Sequence, residues 1–135
     1  MARPNRQGAA AVEFAITSGL AFLFFFAAFE FSRVAMIRGT VDNAIYEGAR
    51  VGIIPGATNA DVETRVREIL GYSLVRDADI VVSPKPIVFD SKTVTVTVDL
   101  SLDKNTFSPT QFFSGKAIVR TIQMKREAGR FVSGG

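Results

Sequence analysis

At 135 residues the chain has room for one modest globular domain and an appendage, not for two domains. It contains no cysteine and no histidine, which removes disulfides, thiolate metal sites and the commonest general base, and so argues against an enzyme. The net charge of +3 is small and sits largely at the two ends, in Arg3 and Arg6 and in Lys125, Arg126 and Arg130, so nucleic acid is not an expected partner.

The apolar excess is concentrated before Phe31. From Ala9 to Phe29 the only strongly polar residue is Glu13. As a helix rising about 1.5 Å per residue this stretch covers roughly 30 Å, the thickness of the hydrocarbon core of a bilayer. Phe22, Phe24, Phe25, Phe26 and Phe29 go all round such a helix, as a lipid-facing segment requires and an amphipathic one does not. A removable secretory signal is the rival reading, but cutting after Ala28 would place Phe26 where a small residue is needed. Arg3, Arg6 and the terminal amine on the short side, against Arg33 and Arg38 beyond the span, favour a cytoplasmic amino end.

Glu13 is misplaced at the mouth of that span. A carboxylate there costs on the order of 2 to 3 kcal/mol, less near the interface. Two readings stay open: the side chain reaches back to the headgroups, or it awaits a positive partner in a helix-packed assembly.

No turn signal interrupts the chain between Phe29 and Gly52, and Val34, Ile37, Val41, Ala44, Ile45 and Ala49 recur with a helical period. The helix is therefore expected to leave the membrane and continue over 30–54, giving a rod of some forty residues that stops at Ile54-Pro55-Gly56. Gly39 and Gly48 each weaken a helix interior by up to about 1 kcal/mol relative to alanine, which implies close packing or a bend. Glu47-Gly48-Ala49-Arg50 reads as a packed helix face in preference to a site.

A globular head is expected over 55–127. Its second helix starts at Ala57-Thr58-Asn59, with Thr58 or Asn59 as cap and with Val62, Val66, Ile69, Leu70 and Leu74 as its buried stripe. Asp61, Glu63 and Glu68 read as a solvated helix face in preference to paired catalytic carboxylates, and a membrane-tethered hydrolase using Asp77, Asp79 and Glu68 would lack histidine, cysteine, a phosphate loop and any metal-ligand spacing. Beyond Asp79 the period becomes two. Ile80-Val81-Val82 and Ile87-Val88-Phe89 read as strand pieces separated by a proline-containing break. Val94, Val96, Val98, Leu100 and Leu102 alternate with Thr93, Thr95, Thr97, Asp99 and Ser101 in the clearest strand, and a last one runs from Lys116 to Lys125. Arg120, Lys125 and Arg126 read as a solvated strand end before they read as a nucleic-acid contact. The loop between carries Phe107, Phe112 and Phe113, which either form an exposed contact patch on the head or fold back over the open end of the core. Residues 128–135 read as a flexible tail. The fold class is α+β: a long helix, a second helix and an antiparallel sheet of three or four strands.

The run Arg6-Gln7-Gly8-Ala9-Ala10-Ala11-Val12-Glu13-Phe14, with Glu30-Phe31 and Arg33 beyond the span and Glu47-Gly48-Ala49-Arg50 further on, resembles the TadE-like minor pilins or pseudopilins of tight-adherence (type IVc, Flp) pilus systems. Its opening is similar to the class III signal of type IV pilins. The resemblance implies a pilin-like fold and a leader, residues 1–8, cut by prepilin peptidase between Gly8 and Ala9. Glu13 would become the fifth residue of the mature chain, pairing with the new amino group of a neighbouring subunit, with Phe14 beside it in the assembly contact. The implied partners are prepilin peptidase, other pilin subunits, the inner-membrane assembly platform and the lipid bilayer, with no cofactor, metal or catalytic residue. The implied location is the bacterial inner membrane, single-pass with the head in the periplasm, and from there the extracellular pilus in surface attachment and biofilm. Ala9 departs from the phenylalanine that begins many classical pilins, so amino-terminal methylation is not carried over. The alternative is an uncleaved single-span protein whose head is a binding or adhesion module.

Overall fold

The computed structural model describes residues 6–106 and 113–126. One helix, α1, runs unbroken from Arg6 to Gly52. Its two halves have different surroundings. Up to Phe29 its large apolar side chains are exposed, and beyond that point Val34, Ile37, Val41, Ala44, Ile45 and Ala49 are buried in the head. The change follows the sequence: an all-round apolar surface gives way to one apolar stripe with polar residues between.

Helix α2, Asn59–Tyr72, packs against the outer half of α1 and buries Val62, Val66, Ile69 and Leu70. Of the two candidate caps, Thr58 takes the role. Its hydroxyl accepts the Asp61 amide while the Asp61 carboxylate accepts the Thr58 amide at 2.8 Å, a reciprocal capping box. Leu74 departs from the expected stripe. The helix ends at Tyr72, Leu74 sits at φ 54° in the turn beyond it, and its side chain is 74% exposed.

The sheet has three antiparallel strands in the order β1-β2-β3, namely Ala78–Ser83, Thr93–Ser101 and Ala117–Lys125. Val96 of the central strand stands between Val82 and Ile122, and Val98 between Ile80 and Arg120. Val94, Val96, Val98 and Leu100 face the helices and are buried, whereas Asp99 and Thr121 lie on the wet side. Leu102 leaves the strand for a single 3₁₀ turn, Leu102–Lys104, and remains buried there. The second expected strand piece is absent. Ile87-Val88-Phe89 makes no ladder, because the Ile87 amide donates to Asn59 Oδ1 at 2.8 Å and the Val88 amide to Ser91 Oγ at 3.0 Å. Asn59 thus serves as a clamp and not as a cap, its amide group also donating to the Pro84 carbonyl at 2.9 Å.

Gly48 and Gly52 let α1 approach the rest of the head. A β-carbon on Gly48 would overlap Val66 Cγ2, and one on Gly52 would lie 2.8 Å from Val94 Cγ1. Close packing accounts for Gly48. Gly39 has open space around it.

Candidate functional site

The proposed processing and assembly residues lie together on the first turns of α1. Residues at i and i+4 share a helix face, so Gly8 stands below Val12, and Ala9 below Glu13 and Thr17. Gly8, Ala9, Val12, Glu13, Ile16 and Thr17 line one shallow groove along the helix. Phe14 begins a second and more apolar groove with Thr17, Ser18, Ala21, Phe22 and Phe25. Gly8, Ala9, Glu13 and Phe14 are all exposed, Phe14 by 75%. The Ser18 hydroxyl donates to the Ala15 carbonyl at 3.1 Å, which satisfies that polar group inside the helix.

This surface has the shape and polarity of a helix-packing face. It offers small residues at the base, branched and aromatic side chains above, and one carboxylate between them. The helix over Gly8–Gly52 is long and apolar enough to cross a membrane, and its most apolar stretch is left wholly uncovered by the head. Within hydrocarbon, small and aromatic side chains pack helix on helix, and an acidic group in that setting takes a basic partner.

Phe113 lies elsewhere. From Ala9 to Phe31 the helix climbs roughly 33 Å, and there Phe31 meets Phe113 edge to face, with ring centroids 5.5 Å apart. Phe113 is 7% exposed, so it folds back over the core and does not stand in an exposed patch. Phe107 and Phe112 lie outside the described residues. Two of the basic residues toward the carboxyl end are engaged within the chain: Arg120 pairs with Asp42 at 3.2 Å, and Arg126 donates to the carbonyls of Val88 and Ile54.

Two residues at the base of the head carry more than their local sequence suggests. Glu30 is 5% exposed, and it falls on the same stripe as Val34, Ile37 and Val41, so the helical period held the signal. Asn105 is buried and ties three segments together. Its Oδ1 accepts the Arg76 amide at 2.7 Å, its Nδ2 donates to the carbonyls of Arg76 and Ser101, and its own carbonyl accepts Arg33 Nε at 3.3 Å. Arg33 and Arg76 are remote in sequence, and Asp-Lys-Asn-Thr read alone is merely a turn.

Asp77 and Glu68 are occupied structurally. Asp77 meets Lys104 at 2.8 Å, which holds the Asp77 carboxyl below its ordinary range and raises Lys104. Glu68 accepts Arg65 at 2.8 Å and the Tyr72 hydroxyl at 3.0 Å, and both bonds lower its pKa, the arginine more. Among the described residues no three acidic side chains converge as a metal site would need.

A model of the TadE-like protein family matches residues 8–50. Over that stretch the chain is similar to TadE-like proteins. The match begins at Gly8 and covers nearly all of α1, from the exposed groove to the buried stripe, and it stops short of α2 and the sheet. The matched part is thus the apolar half of α1 together with its continuation under the head. No curated protein and no solved structure matches the chain.

Proposed function

We propose that this chain is a membrane-anchored minor pilin or pseudopilin of a tight-adherence pilus. In this reading prepilin peptidase cuts between Gly8 and Ala9, and α1 then packs beside the helices of other subunits. The observation that carries it is the TadE-like match over residues 8–50, coinciding with a helix whose apolar half the head leaves uncovered. Cleavage would create an amino group at Ala9, one turn below Glu13 on the same groove. Within one subunit that pair already lies close; between neighbours, the carboxylate of one chain can meet the new ammonium of the next. Pairing offsets the cost of a charge in hydrocarbon and fixes the stagger between helices. The head stands in the periplasm, borne on the rigid upper half of α1, and enters the fibre with it.

Mass spectrometry of the amino terminus, in cells with and without prepilin peptidase, tests the reading. A mature chain starting at Ala9 only when the peptidase is present is the expected result. A chain starting at Met1 in both would overturn it and select an uncleaved single-span protein instead.

A further inference from the structure

The base of the head carries a basic cleft. Arg33, Arg76 and Lys104 line it with Leu74, Asn105 and Thr106. Asn105 assembles this cleft, drawing Arg33 from α1 and the 76 backbone from the turn after α2 onto the end of β2. The Arg33 guanidinium is held by its bond to the Asn105 carbonyl, and Lys104 is steadied at the rim by Asp77. Lys116 lies close by, its Nζ 5.9 Å from the centre of the Phe113 ring. Asp77 and Asp103 are the acids facing this end; Asp103 accepts the Gly115 amide, and Glu30 is buried. Arg33, Arg76, Lys104 and Lys116 outnumber them.

The position of the cleft identifies its counterpart. Arg33 stands four residues beyond Phe29, about 6 Å along the helix axis from the end of the apolar span. The headgroup layer occupies roughly 5 to 7 Å on each side of the hydrocarbon. Leu74 adds a second observation. It is 74% exposed beside the three basic groups, in the left-handed turn that ends α2, where the Val75 amide bonds the Leu70 carbonyl at 3.3 Å and the Leu74 amide the Gly71 carbonyl at 3.1 Å. The Ser73 hydroxyl lies 2.7 Å from that of Thr40, eleven residues beyond Phe29, so this turn stands on the outer side of the headgroup layer, from which long arginine and lysine side chains reach toward phosphate.

We propose that the base of the head docks on the bilayer it emerges from, with Arg33, Arg76 and Lys104 receiving the headgroup phosphates of anionic phospholipids. The proposal rests on α1 spanning the membrane, and it adds a lipid-dependent hold that fixes the head upright before assembly. Extraction into a fibre must then break these contacts.

The test uses the full chain in nanodiscs of phosphatidylcholine alone or mixed with phosphatidylglycerol, read by hydrogen exchange. Amides of residues 73–78 and 101–106 are expected to exchange several-fold more slowly with phosphatidylglycerol, since each basic group near an anionic surface is worth about a fivefold preference at low salt. Added salt should remove the difference, and so should Arg76→Gln combined with Lys104→Gln, while β2 remains protected as a sign of folding. Equal exchange in both lipids, with α1 protected, overturns the docking and leaves the span intact. Persistence of the effect in the double variant overturns the assignment to these residues. Equal protection by inorganic phosphate in detergent would make the cleft a free-phosphate site and overturn lipid as its occupant. Failure of α1 to be protected in any disc overturns the spanning reading, and the docking with it.

Discussion

Gly48 of α1 faces Val66 of α2 so closely that a β-carbon on the glycine would overlap the valine's Cγ2. Val66 is fully buried and β-branched, so it cannot rotate out of the way. Gly48→Ala is therefore expected to destabilise the head. Overpacking costs about 1 to 3 kcal/mol, against a gain of up to about 1 kcal/mol from helix propensity. Gly39→Ala is the opposite case, with open space around it, and should raise stability by about 0.5 to 1 kcal/mol. Thermal unfolding of both variants in detergent, followed by circular dichroism, reads the sign of each. A Gly48→Ala chain as stable as Gly39→Ala would show that the helices part without cost.

Asn105 provides a separate check on the base of the head. Asn105→Ala strips partners from the Arg76 amide and from the carbonyls of Arg76 and Ser101, all held by bonds of 2.7 to 2.9 Å. Leaving a buried polar group unsatisfied costs about 1 to 3 kcal/mol. Asn105→Asp is expected to be worse at neutral pH than Asn105→Ala, because a carboxylate would face two carbonyl oxygens in a buried place. Denaturant midpoints of the two variants decide the order. The reverse order would mean that this region opens to water.

The capping box of α2 makes stability depend on pH in a defined direction. The Thr58 amide, and after it the Thr58 hydroxyl, bond to the Asp61 carboxylate and hold its pKa below the ordinary value. A carboxyl depressed in the folded state contributes stability that is fully present above its unfolded pKa, near 4. That contribution disappears as the pH falls through the lower folded value. Wild type should therefore exceed Asp61→Asn in melting temperature at neutral pH, and the gap should close on acidification below about pH 4. Glu68 and Asp77 are depressed as well, so the difference between the two proteins is the quantity to follow, not the fall of either alone. Thr58→Ala removes the hydroxyl side of the box and should cost about 1 kcal/mol. A gap independent of pH would show that the carboxylate has no part in the cap.

The rod, the capped second helix and the central strand were legible because each is written in a local period. A membrane-length stretch over 9–29 whose one charged residue is Glu13, then a stripe every three or four residues, then strict alternation from Thr93 leave few other solutions. What escaped depends on distant partners. Ile87-Val88-Phe89 has strand composition, but Asn59, far back in the chain, takes the amide a ladder would need. Leu74 fits the helical stripe of α2 and is lost to it because the helix stops two residues earlier. Gly8 and Glu13 were visible as a pattern, and Ala9, one turn before Glu13, has to share its face of the helix. The basic cleft was not, for Arg33, Arg76 and Lys104 meet only through tertiary contact at Asn105.

Glu13 carries the last prediction, and it separates processing from assembly. In Glu13→Ala the span loses its one charge, so insertion should be at least as favourable as in wild type. The Gly8–Ala9 bond and the residues before it are unaltered, and the mature chain should still begin at Ala9. On the proposed pairing between subunits, incorporation into pili should fall well over tenfold, because removing one partner of a buried ion pair costs about 3 to 5 kcal/mol. Glu13→Gln keeps the size and loses the charge, and should fail likewise. Thr17→Val, one turn further along the same groove, alters shape little and charge not at all, and should assemble normally. Immunoblots of sheared pili against membrane fractions measure the split. Fibres containing wild-type amounts of Glu13→Ala would remove the carboxylate from the assembly contact and leave it the simpler part of a side chain that reaches back to the headgroups.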